Sequence, residues 1–124
     1  MKILIFLVVP LLTSFAAVAS APACYSSYNG YCQYDGKVSR IYVNSGNLIL
    51  LYFDEAMDPA AGSEAKMSLT TGVAAAVRIT DNPEFAKLFY STALAAQASQ
   101  RNVQIQMRGT ISGYMKVDRI WLAE

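Results

Sequence analysis

Helix signals gather at one place in this chain, Asp81-Asn82-Pro83-Glu84, and that single start among strand patterns constrains the fold more than any other feature. Asp81 or Asn82 can cap, Pro83 suits the first helical position, and Glu84 meets the positive end of the helix dipole. The spacing predicts a helix from Pro83 to about Ser99, with Phe85, Leu88, Phe89, Thr92, Ala95 and Ala96 on the face that packs on a sheet. Tyr90, Leu94 and Ala98 fall outside that stripe and leave a second, partly apolar face.

Strand patterns fill the rest of the domain. Lys37 to Val43 (KVSRIYV), a turn at Asn44-Ser45-Gly46, and Asn47 to Phe53 (NLILLYF) read as a hairpin. Asp54 to Thr71 reads as a long irregular connection, with a short edge strand around Ala65 to Leu69. Val73 to Ile79 is a third strand. Asn102 to Gly109 alternates Val103, Ile105 and Met107 against Gln104, Gln106 and Arg108, the pattern of a half-exposed strand. Tyr114 to Leu122 is the last strand. Its KVDRIWL echoes KVSRIYV at 37 to 43, which predicts two similarly bulged strands. The order is therefore β-β-β-α-β-β in a mainly β (α+β) domain, that of a five-stranded OB-type barrel; a small α+β sheet domain is the alternative.

The N-terminus has a different character. Lys2, the apolar run Ile3 to Leu12 and the small residues from Phe15 to Ala23 match the three regions of a secretory signal peptide at residues 1–20, cleaved between Ala19 and Ala23. A membrane-spanning helix wants about 20 apolar residues, and Pro10, Thr13 and Ser14 interrupt a shorter run. The chain thus divides into a signal peptide (1–20), an N-terminal arm (21–35) and an OB-like domain (36–124), in a secreted or periplasmic protein with no stable membrane insertion after processing.

Export bears on the two cysteines. An even count in an exported chain favours a disulfide between Cys24 and Cys32, closing a short loop in the arm CYSSYNGYCQYDG. A cysteine behind an apolar stretch also fits a lipoprotein, but Ala21-Pro22-Ala23 lacks the bulky aliphatic of such a site. With the thiols oxidised and histidine absent from the chain, the commonest general base and the usual zinc ligands are missing. The reading is of a protein with no catalytic residues, no metal and no cofactor. Asp54, Glu55 and Asp58 cluster in FDEAMDPA and form the one carboxylate group open to hydrolase or calcium chemistry; solvated loop charge explains them better. Removing Lys2 from ten basic residues leaves nine against nine acidic ones, and no basic run remains to bind nucleic acid.

GKVSRIYV, the helix-to-strand passage FAKLFYSTALAAQASQRNVQIQM and the terminal IWL strand resemble small exported OB-fold proteins related to the receptor-binding B subunits of AB5 toxins, pertussis and subtilase types included. The resemblance covers roughly Gly36 to Leu122. It implies a non-catalytic module that recognises a glycan or a protein, in a ring-shaped homo-oligomer with Tyr90, Leu94, Gln97 and Arg101 near neighbouring chains. Asp58-Pro59 and Thr110 to Gly113 lack the cysteines that such proteins often carry, and no binding residue is transferred from the family. From the residues themselves, Tyr28, Tyr31, Tyr52, Arg108 and Tyr114 are the candidate ligand contacts, because tyrosine offers a stacking face and a polar tip. Tyr25, Tyr34 and Tyr42 extend that series, and Arg40 and Arg119 are candidates beside Gln104 and Gln106. A structural subunit of an extracellular or periplasmic assembly is the rival function.

Overall fold

The computed structural model describes residues 2–11 and 19–124. Its elements are β1 (Ala23–Tyr25), β2 (Tyr31–Gly36), β3 (Arg40–Asn44), β4 (Leu48–Tyr52), a 3₁₀ helix (Pro59–Ala65), β5 (Ala74–Arg78), α1 (Pro83–Ser99), β6 (Val103–Ile111) and β7 (Tyr114–Leu122). The protein is mainly β. One mixed sheet of seven strands runs β1-β2-β6-β7-β5-β4-β3, antiparallel throughout except where β5 lies parallel to β7.

Five strands in a closed barrel are therefore not what the sheet order gives. The arm expected as a short disulfide-closed loop forms a hairpin, because Cys24 and Cys32 are direct cross-strand partners and the chain between them closes in a tight turn. That hairpin contributes two strands. Strands β2 and β3 follow each other in sequence yet stand near opposite ends of the sheet. Joined through Lys37, Val38 and Ser39, they oblige the sheet to curl back on itself.

The bend at 37–39 replaces the first of the two predicted bulges. Gly36 sits so close to the Tyr34 ring that a Cβ there would lie 2.6 Å from the phenol oxygen. The Tyr34 hydroxyl donates to Lys37 O at 2.5 Å and accepts from Asp54 N at 3.0 Å, tying the bend to the loop after β4. The second bulge is present: Gln106 pairs with Arg119 and Met107 with Val117, so Asp118 is the extra residue. The predicted edge strand around Ala65 to Leu69 is absent. Asp58 instead caps the 3₁₀ helix through Ala60 N, with Pro59 at its start, and Lys66 ends it in the left-handed region.

Helix α1 spans the predicted residues, and Asn82 caps it by accepting from Phe85 N at 3.1 Å. Its buried face is rotated from the predicted one. Ala86, Phe89, Ala93 and Ala96 are buried, while Leu88 is 69% exposed and Ala95 is also on the surface. Small alanines let the helix approach β7 closely, so that Phe89 alone supplies a large side chain on that stripe. The core beneath it holds Tyr34, Leu51, Val103, Ile105, Met107 and Met115. On the sheet's other face Leu50, Ala74, Ala76 and Ile111 form a smaller cluster.

Ile3 to Val9 and Leu11 are largely exposed and belong to no strand or helix. Thr13, Ser14 and most of the small-residue stretch Phe15 to Ala19 lie outside the described residues. Attachment to the domain is visible from Ser20, whose carbonyl accepts from Glu55 N at 3.0 Å. Among the described residues no helix is long and apolar enough to cross a membrane.

Candidate functional site

The β1–β2 hairpin gathers most of the arm's tyrosines. Tyr25 and Tyr31 are cross-strand partners, so they share a face, and their ring centroids are 5.1 Å apart. Between them Ser27 to Gly30 forms a turn closed by Gly30 N donating to Ser27 O, with φ of 52° at Tyr28 and 66° at Asn29. Positive φ at both central residues is the primed geometry that suits a hairpin. Asparagine accepts it readily; tyrosine does not. Tyr28 is held there at the tip, 79% exposed, with its ring 6.3 Å from that of Tyr31.

Arg108 fixes this arrangement from the neighbouring strand. Its Nη1 donates to Tyr28 O at 2.7 Å and to Gly30 O at 3.2 Å. The guanidinium carbon lies 5.5 Å from the Tyr31 centroid, within cation–π range. Gly30 completes the fit by packing on the Ala65 backbone, where a Cβ would come within 2.6 Å of the carbonyl oxygen at φ +93°.

Strand register extends the patch. Gln33 pairs with Gln106, Asp35 with Gln104, Gln106 with Arg119 and Gln104 with Trp121, so all six side chains stand on the face that carries Tyr31. Gln106 donates to Gln33 Oε1 at 3.2 Å and Gln33 donates to Asp35 Oδ2 at 3.0 Å. Arg119 is paired with Asp118 at 2.8 Å. The result is a row of amides with tyrosines at one end and Trp121, 42% exposed, at the other. Gln33, Asp35 and Trp121 escape the sequence reading because their facing depends on register with strands far along the chain.

The sequence candidates separate into groups. Tyr28, Tyr31 and Arg108 come together with Tyr25, and Arg119 stands on the same sheet face. Tyr34 does not join them: it points into the core, where burial pushes its phenol up to about 12 against the opposing hydrogen bond from Asp54 N, with the Asp54 carboxylate adding to the rise. Tyr52 and Tyr114 pack on the separate cluster of Leu50, Ala74, Ala76 and Ile111. Arg40 lies 3.9 Å over the Tyr52 ring, away from the amide row. Tyr42, opposite Leu50 in the ladder, stands on that second face too.

On the helix, Tyr90 lines an apolar cleft of about 340 Å³ with Val43, Ile49, Ile79, Ala86 and Lys87. Leu94 is exposed, and Gln97 is half-buried, its carbonyl accepting from the Gln100 side chain. Arg101 Nε donates to Ala123 O at 2.9 Å, so its charge anchors the end of the chain. The carboxylates are dispersed in role: Asp54 accepts from Lys37 N and Asp58 caps the 3₁₀ helix. Among the described residues no three His, Cys, Asp or Glu side chains gather around one point. Comparison with protein-family models, with curated proteins and with solved structures gives no match.

Proposed function

We propose that this is an exported, non-catalytic module that binds a glycan on the outer face of β2, β6 and β7. The observation that carries the reading is the tyrosine cluster locked by Arg108 at one end of the amide row. Tyrosine and tryptophan offer flat faces on which sugar rings stack. The amides and Arg119 supply hydrogen bonds that fix hydroxyl orientation. The strain of a tyrosine at positive φ is of order 1–3 kcal/mol and is characteristic of functional loops.

The finer fold reading accords with this. Counting β2 and β3 as two halves of one bent strand reduces the core of the sheet to five strands. Each then has the neighbours expected of an OB-type barrel, with β1 as an addition. That order supports the resemblance to AB5 toxin B subunits and, through it, a ring of copies. The disulfide and the exposed apolar residues near the N-terminus support export by a signal peptide.

The rival, a structural subunit of an extracellular assembly, draws on the apolar cleft beside Tyr90 and on the exposed Leu88 and Leu94. A glycan array combined with light scattering separates the two. Sugar binding that Tyr28→Ala weakens about tenfold, the loss of roughly 1.4 kcal/mol, supports the module. Open polymers with no sugar binding overturn it.

A further inference from the structure

The face that carries Tyr31 is long as well as aromatic. Cys32 pairs with Met107, which sets Tyr31 beside Arg108 at one end, while Asp35, Gln104 and Trp121 lie in one cross-strand row at the other. Four residues along β6 advance about 13 Å and each step between strands adds about 5 Å, so Tyr31 and Trp121 stand about 16 Å apart, a span of several pyranose rings. The row between them is oriented before any ligand arrives: Gln106 donates to Gln33 Oε1, and Gln33 donates to Asp35 Oδ2. Each of these amides keeps an N–H and a lone pair for a ligand.

The charges on this face cancel. Arg119 is closed on Asp118 at 2.8 Å, and Arg108 gives its Nη1 to two backbone carbonyls of the hairpin turn. Asp35 balances Arg108 in sum, yet it stands at the Trp121 end, where no ion pair holds it among the described residues. A polyanionic chain would set its charges against that carboxylate as it reached Trp121.

We infer, resting on the glycan reading above, that the ligand is a linear, uncharged, β-1,4-linked oligosaccharide laid diagonally from Tyr31 across Gln106 to Trp121. Equatorial linkages and hydroxyls leave both faces of each ring lined with C–H groups, the surface on which an aromatic side chain stacks. Once one end of such a chain is stacked, the other engages as an intramolecular event. Ring hydroxyls between the two ends meet amides that are already in place, which lowers the cost of ordering them. A single sugar or a short branch reaches one end alone.

The test is titration calorimetry of the mature chain with cellobiose, cellotetraose, cellohexaose and the β-1,4-linked glucuronate hexamer, which carries a carboxylate in place of each hydroxymethyl group of cellohexaose. Affinity should rise about tenfold or more from the disaccharide to the longer chains, the contribution of one further aromatic stack, and the glucuronate hexamer should bind about tenfold more weakly than cellohexaose. Trp121→Ala should abolish the rise with length. Asp35→Asn should narrow the gap between the two hexamers, a result that does not depend on the Trp121 variant folding. Equal affinity for cellobiose and cellohexaose, a preference for the anionic hexamer, an undiminished rise with length in Trp121→Ala, or a gap that Asp35→Asn leaves unchanged overturns the proposal. The glycan array separates this failure from that of the parent reading. If it shows binding of branched or acidic sugars alone, the choice of ligand falls and glycan binding stands; if no sugar binds, both fall.

Discussion

Arg108 and Tyr28 are joined by a 2.7 Å hydrogen bond from the guanidinium to the tyrosine carbonyl, which links a central strand to the most exposed ring of the hairpin. The same nitrogen also reaches Gly30 O, so one side chain spans the strained turn. Arg108→Ala should lower stability by about 1 kcal/mol, a charged hydrogen bond discounted for partial exposure. The corresponding fall in Tm is about 4–8 °C. Arg108→Lys should recover less than half of it, because lysine lacks the planar fork. Thermal unfolding of the three proteins checks both.

The rotated helix face makes a sharper contrast. Phe89 is fully buried and Leu88 is 69% exposed. Phe89→Ala should cost about 3–5 kcal/mol by emptying the core, whereas Leu88→Ala should change stability by less than about 0.5 kcal/mol. Urea unfolding midpoints decide between this packing and the one predicted from the apolar stripe that includes Leu88.

Tyr34 gives a pH dependence. Its phenol is pushed up to about 12 in the folded chain, against an ordinary value of 10.0. The unfolded chain therefore loses this proton first, so the stabilisation is complete below pH 10 and disappears as pH rises toward about 12. Tyr34→Phe should remove that alkaline component. At neutral pH it should also cost about 1–3 kcal/mol, since Lys37 O and Asp54 N lose a partner. Chemical denaturation from pH 8 to 11 measures both effects.

The disulfide closes a span of eight residues. Replacing both cysteines by serine should cost about 2–3 kcal/mol through the greater freedom of the unfolded chain. Hydrogen exchange should show faster opening of β1 and β2 than of β6, because β6 keeps β7 as a second partner.

Local chemistry made α1 legible down to its cap: Asn82, Pro83 and Glu84 act within one turn of each other. The strands β3 to β7 were visible for the same reason, through β-branched runs and the alternation of Val103, Ile105 and Met107. Which side of α1 is buried was not, because Ala86 and Ala93 earn their place by allowing close approach, a tertiary effect that hydrophobicity alone does not signal. At the site, Tyr28, Tyr31 and Arg108 were recognisable by type. Their separation from Tyr52 and Tyr114, and their alignment with Gln33, Asp35 and Trp121, follow from cross-strand register, which links residues far apart in the chain.

That register also sets a timetable. Cys32 pairs with Met107 and Gln104 with Trp121, so the surface bearing Tyr31 is completed only when the last strand has joined β6 alongside β2. Loop closure over most of the chain must precede it, which slows folding. Under the proposed function, a polypeptide emerging from a translocation pore with its last strand still inside would display the tyrosines without the surface that organises them, and recognition would begin only with release of the finished chain.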